Sequence, residues 1–130
     1  TERVVKGTVY RLRYRVKNAI GWSDYSPIAY IQAATKPVAP DQPQFVSSTT
    51  TSVTLTIPPS IDDQGSPIIK YKLFVDAGND FSSQFTQLTN YDGVANTYTA
   101  TTINDLLETG KIYRFITAAN NAYGDSDFSY

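Results

Sequence analysis

Residues 7–26, GTVYRLRYRVKNAIGWSDYS, lie over residues 110–129, GKIYRFITAANNAYGDSDFS, at an offset of 103 without a gap. Nine of the twenty positions are identical: Gly7/Gly110, Tyr10/Tyr113, Arg11/Arg114, Asn18/Asn121, Ala19/Ala122, Gly21/Gly124, Ser23/Ser126, Asp24/Asp127 and Ser26/Ser129. A period of about 100 residues is the size of one β-sandwich domain. In a chain of 130 residues that period fits once with a remainder. The expected organisation is therefore the tail of one module followed by most of the next. Between them, Lys36-Pro37-Val38-Ala39-Pro40-Asp41-Gln42-Pro43 sets three prolines at every third residue, which predicts an extended, stiff linker.

The local pattern is that of strands. Val53, Leu55 and Ile57 alternate with Thr54 and Thr56, and Tyr10, Leu12, Tyr14 and Val16 alternate with Arg11, Arg13, Arg15 and Lys17. Ile69, Tyr71, Leu73 and Val75 come close to the same period. Gly and Pro punctuate these runs at Pro58–Pro59, Gly65–Pro67, Gly78–Asn79, Asp92–Gly93 and Gly110. No long window carries a 3.6 period with caps, so the class is all-β.

Tyr113, Phe115, Ala119, Asn121, Gly124 and Ser126 appear again as Tyr10, Leu12, Val16, Asn18, Gly21 and Ser23. This pattern resembles the late strands of the fibronectin type III domain. Leu107 to Tyr113, with Gly110 between them, resembles the corner where that family folds a Tyr hydroxyl back on the preceding backbone, and Tyr10 stands at the equivalent place. The resemblance implies an immunoglobulin-like sandwich. Residues 1–36 would hold strands F and G of one module, 37–43 the linker, and 44–130 a second module lacking its strand G. In that second module, strands A, B, C, C′, E and F would fall at 44–48, 52–57, 68–76, 84–88, 97–103 and 112–121, with strand G beginning after Ser129. A sandwich short of a strand exposes an apolar trough and an open edge, and an isolated hairpin is not stable alone, so both ends are expected to need partners. The family's core Trp on strand B falls near Ile57 here, while Trp22 lies in a turn; Phe74, Phe115, Tyr71 and Tyr113 are expected to fill the core instead. The absence of Met at position 1 is expected of a processed or partial product.

Composition excludes much chemistry. There is no Cys and no His, which removes thiol nucleophiles, thiolate and imidazole ligands and the commonest general base. No phosphate loop or nucleophile elbow is present. Asp62 and Asp63 lack the alternating oxygen ligands of a calcium loop and read as a solvated turn. No catalytic residue, cofactor or metal is therefore expected, and no run is long and apolar enough to insert into a membrane. Ser47, Ser48, Thr49, Thr50 and Thr51 read either as a polar turn between strands A and B or as O-glycosylation sites, and no Asn-x-Ser/Thr sequon occurs.

The net charge of −1 hides an asymmetry. Residues 1–36 carry seven Lys/Arg against two acids, a net of +5, and residues 37–130 carry four against ten, a net of −6. Arg11, Arg13, Arg15 and Lys17 share one strand face, ~7 Å apart. The row reads either as a plain solvated face or, with Trp22 and Tyr25, as the candidate partner-binding residues for an acidic protein surface or an anionic glycan. The two aromatics read equally as staples holding their turn to the strand beneath; nucleic acid is not expected. The expected function is a non-catalytic structural or adhesive module of a tandem array, extracellular or at the cell surface. It would meet neighbouring modules in cis or self-assemble in trans, head to tail, into a filament. The alternatives are a scaffold module of a long intracellular protein and a non-catalytic appendage of a carbohydrate-active enzyme.

Overall fold

The computed structural model describes residues 3–79 and 84–129. Among these residues nine strands form three antiparallel sheets. β1 (Val9–Leu12) pairs only with β2 (Ala29–Gln32), in a hairpin at the N-terminal end. β3 (Gln44–Ser48), β4 (Ser52–Thr56) and β7 (Thr97–Thr101) form one layer of a sandwich, in the order β3-β4-β7. The other layer runs β6-β5-β8-β9, with β5 at Lys70–Val75, β6 at Thr86–Gln87, β8 at Phe115–Asn121 and β9 at Gly124–Asp125.

Alternation decides which face each strand buries. Leu55 and Ile57 at β4 and Leu73 and Val75 on β5 point into the space between the layers, joined by Ala100, Leu88, Tyr91 and Leu107. On the outer face of β4, the Thr54 and Thr99 hydroxyls hydrogen-bond across the strands at 2.9 Å. Tyr71, Tyr113 and Phe115 pack half-buried against this cluster, as expected. Phe74 does not: its even register turns it to the opposite face of β5, where it meets Phe128 edge-on at 5.0 Å. The position of the family's Trp is filled by buried Ile57.

One further expectation is corrected. The partner of β8 begins at Gly124 rather than after Ser129, because Gly124–Asp125 pairs with Asn120–Asn121 directly across a tight turn. The pairing then continues irregularly, through Ser126 N–H to the Ala119 carbonyl at 2.7 Å and Ser129 N–H to the Thr117 carbonyl at 2.8 Å. The proline segment, expected as an extended, stiff linker, also packs against the sandwich. Pro37 and Pro40 are buried, Val38 donates its N–H to the Asp62 carbonyl at 3.0 Å, and Ser60 Oγ donates to the Val38 carbonyl at 2.6 Å. Between β3 and the start of β8 the layers open into a groove of about 840 Å³ lined by Phe45, Phe74, Phe115 and Phe128 among others.

Candidate functional site

Where the hairpin meets the sandwich, main chain touches main chain. Gly65, at φ +92°, has room for no side chain: a Cβ there would sit 2.7 Å from Gly7 N and 2.8 Å from the Ala33 carbonyl oxygen. The turn that delivers it is held by its own acids, Asp62 Oδ1 accepting from Gln64 N–H at 2.8 Å and Asp63 Oδ1 from Gly65 N–H at 2.9 Å. Two amides then lock the approach. Gln32 Nε2 donates to the carbonyls of Gly7 and Gly65 at 3.2 and 3.0 Å, while its Oε1 accepts from the Tyr123 hydroxyl at 3.1 Å. Asn121, 3% exposed, donates from Nδ2 to Thr35 and Asp63 carbonyls at 2.7 and 3.0 Å. Thr35 N–H reaches the Gln64 carbonyl at 3.1 Å. Lys6 closes the edge on Asp62 at 2.6 Å, and the ammonium's hydrogen bond holds that carboxyl below its usual range, helped by Gln64 N–H. Asp62 and Asp63 are thus the docking turn of a joint, not a merely solvated one.

The repeat carries hydrogen bonds as well as letters. Tyr10 Oη accepts from Val5 N–H at 2.7 Å and Tyr113 Oη from Glu108 N–H at 2.8 Å, two corners at the same offset of 103. Leu107 beside the second corner is buried, and Gly110 has φ +86° with open space around it. Ser126 and Ser129 Oγ accept from Ala119 and Thr117 N–H at 2.9 Å each. Ser23 and Ser26 do the same for Val16 and Tyr14 at 2.9 and 3.0 Å. In both copies a serine hydroxyl stands where a strand carbonyl would.

On the first copy the outer face carries a ladder. The Lys17–Trp22 bridge turns the chain back, so Trp22 and Tyr25 lie alongside the cations. Arg13 Cζ is 3.9 Å from the Tyr25 ring centroid, Arg15 Cζ is 4.7 Å from Tyr25 and 4.4 Å from Trp22, and Lys17 Nζ is 5.4 Å from Trp22. Each ring has two cations over it. Arg11 lies opposite Tyr30 in the register. Like charges ~7 Å apart repel by about 0.6 kcal/mol in water, and a surface cation–π contact returns about 0.5–1 kcal/mol. The stack therefore stands without a neutralising acid.

The second copy answers differently. Arg114, at the place of Arg11, donates from Nε to Asp76 Oδ2 at 2.7 Å, and Asp76 Oδ1 accepts from the Arg114 and Gly78 N–H groups at 3.1 Å. Burial pushes the Asp76 carboxyl up, but the Arg114 and Gly78 hydrogen bonds outweigh it and the pKa falls. Ser47 and Ser48 lie in β3, and Thr49, Thr50 and Thr51 in the turn to β4, all exposed, with Thr49 Oγ1 hydrogen-bonded to Ser52 Oγ at 2.8 Å. Among the described residues no group of acids is placed to hold a metal ion. The joint residues Gln32, Gly65, Asn121 and Tyr123 were not singled out for binding by the sequence, although the identity of Asn18 and Asn121 across the repeat was a signal.

No family model matches the chain. Among solved structures, a crystal structure of consecutive titin domains matches with TM-score 0.66 at 24% identity, over 88% of this chain and 36% of that one. A solution structure of the fourth FNIII domain of a human protein matches at TM-score 0.60 and 24% identity, over 74% of this chain and 75% of that domain. The fold is fibronectin type III-like. The twitchin kinase region of C. elegans matches at TM-score 0.60 and 22% identity over 72% of this chain, which spans only 15% of that structure. No helix among the described residues is long and apolar enough to cross a membrane.

Proposed function

We propose that the chain is a non-catalytic structural segment of a tandem fibronectin type III-like array, and that its task is to hold successive modules at a fixed angle. Residues 1–36 are the last two strands of one module, 37–43 the connector, and 44–130 the next module. The joint carries this reading, because contacts among Gly7, Gln32, Thr35, the Asp62–Gly65 turn and Asn121 leave the hairpin no independent swing. The inward register of the hairpin supports the partition: Leu12, Tyr14 and Val16 occupy what are core positions on β8, yet are 52, 71 and 62% exposed, as strands removed from their own sandwich would be. β2 covers Val9–Leu12, whereas no described strand lies beside the equivalent Ile112–Phe115 on that edge.

The test is the alignment of the two parts in solution. Residual dipolar couplings from amides of β1–β2 and of the sandwich should fit one alignment tensor. Two unrelated tensors would show a flexible tether and end the proposal. An extracellular array is the first reading of its setting. The matches to titin and twitchin regions favour the second, a scaffold in a long intracellular protein, and a secretion signal upstream in the full reading frame separates the two.

A further inference from the structure

Apart from the joint, the first-copy ladder raises its own question, because its charge is unspent. Five carboxylates of the sandwich side, Asp62, Asp76, Glu108, Asp125 and Asp127, already hold a Lys or Arg at 2.6–2.7 Å. Asp63, Asp92 and Asp105 accept main-chain N–H groups. By contrast, among the described residues none of Arg11, Arg13, Arg15 and Lys17 has a carboxylate within ion-pair distance. Asp41 is exposed and without an ion pair among the described residues, so a second copy of this chain offers the row scattered single carboxylates rather than a continuous line of anions. Four cations at ~7 Å steps make a row of about 20 Å, and the ring contacts set Arg13, Arg15 and Lys17 in place before anything binds.

We propose that this row binds a linear sulfated polysaccharide. A guanidinium lying over an aromatic ring has that face engaged and keeps its N–H edge for an oxyanion. A dense polyanion adds the release of its condensed counterions, which isolated carboxylates do not supply. Single-stranded nucleic acid gains much of its hold by stacking bases on ring faces, but the Trp22 and Tyr25 rings each carry two cations already. An acidic peptide also meets clustered arginines, but its carboxylates are sparser than the sulfates of a polysaccharide and release fewer condensed counterions, which is the difference that polyglutamate measures. Sulfate groups on a sugar chain ask only for the cation edges.

Trp22, the one Trp in the chain, reports from inside the site. Dextran sulfate is titrated into the full chain at about 0.15 M salt, read by Trp22 fluorescence and calorimetry, beside uncharged dextran, polyglutamate and oligothymidylate. Dextran sulfate should shift the Trp22 emission and bind tighter than the other three. The triple variant Arg13→Ser, Arg15→Ser, Lys17→Ser should weaken binding about tenfold or more and flatten its salt dependence, while Lys70→Ser leaves both unchanged. Arg11→Ser removes a cation that has no ring contact among the described residues, so it reduces the salt slope without disturbing the stack and decides the matter if the triple variant unfolds. The proposal is overturned by a silent Trp22, by oligothymidylate or polyglutamate binding as tightly, or by an Arg11→Ser slope equal to that of the parent chain.

Discussion

Thr117 is fully buried and its N–H has one protein acceptor, the Ser129 hydroxyl. Ser129→Ala should cost about 1–3 kcal/mol, the usual penalty for a buried donor left unsatisfied. Thermal unfolding measures it, and a loss under half a kilocalorie would mean that the amide finds water. Ser26→Ala, which removes the equivalent hydroxyl from an exposed Tyr14 amide, should cost less than Ser129→Ala, since there water replaces the acceptor. Gly65→Ala acts by a different route. The new Cβ meets two backbone atoms under 3 Å away and forces an L-residue to φ +92°, so the turn has to move by tenths of an ångström and loses on the order of 1–3 kcal/mol. The expected sign is loss in the full chain, with chemical-shift changes concentrated at Gly7, Ala33 and Gln32; an unperturbed spectrum would remove the close approach from the argument.

At the scale of elements, the pairs that tie β5 to β8 and β9 set the acid limit of the sandwich. Lys72 holds Asp125 at 2.6 Å and lowers its pKa through that hydrogen bond, helped by Asn120. Asp76 is lowered by Arg114 and Gly78 against the pull of burial. A carboxyl whose pKa is lower folded than unfolded stabilises the fold above its unfolded value, near 3.9, and loses that contribution as the pH falls through the folded one. The melting temperature should therefore be level above about pH 5 and fall below about pH 4. In Asp76→Asn the protein should start lower and fall less steeply over that acid range; parallel pH profiles would show that Asp76 carries none of it. The strands themselves were legible in the sequence, because alternation over Val53–Ile57 and Tyr71–Val75 states which side of each strand is apolar. The start of the β8 partner was not, since Gly124–Asp125 pairs at once across the turn and the residues after it bond partly through the Ser126 and Ser129 hydroxyls, with no alternation to mark a strand. The cation row was visible as a charge spacing. Trp22 and Tyr25 were visible as turn aromatics, but their stacking on the cations was not, because they come beside Arg15 only through the Lys17–Trp22 register.

For the whole molecule, the decisive contacts come from segments far apart in the chain. Asn121 Nδ2 gathers carbonyls at Thr35 and Asp63, and Gln32 gathers Gly7 and Gly65. Neither amide advertises its target, since the targets are main-chain oxygens that any residue would supply, and this is why the joint was missing from the sequence reading. Asn121→Ala together with Gln32→Ala should free the hairpin from the sandwich while the sandwich still folds. Small-angle scattering should show a larger radius of gyration, and the hairpin couplings should drop out of the common tensor. Retention of a single tensor in the double variant would shift the weight of the joint onto the buried prolines.

Neighbouring modules with the same Tyr-Arg strand and the same Asn-Ala-x-Gly turn are natural partners for one another's edges, and arrays of similar domains misassemble by that route. A regular edge would offer each neighbour a row of open N–H groups. Here Ser126 and Ser129 close the amides of Ala119 and Thr117, and Ser23 and Ser26 close those of Val16 and Tyr14. Each hydroxyl is supplied from within its own copy, seven or twelve residues after the amide it satisfies. Two serines three residues apart thus occupy, from within each copy, the N–H groups that a sibling edge would otherwise pair with.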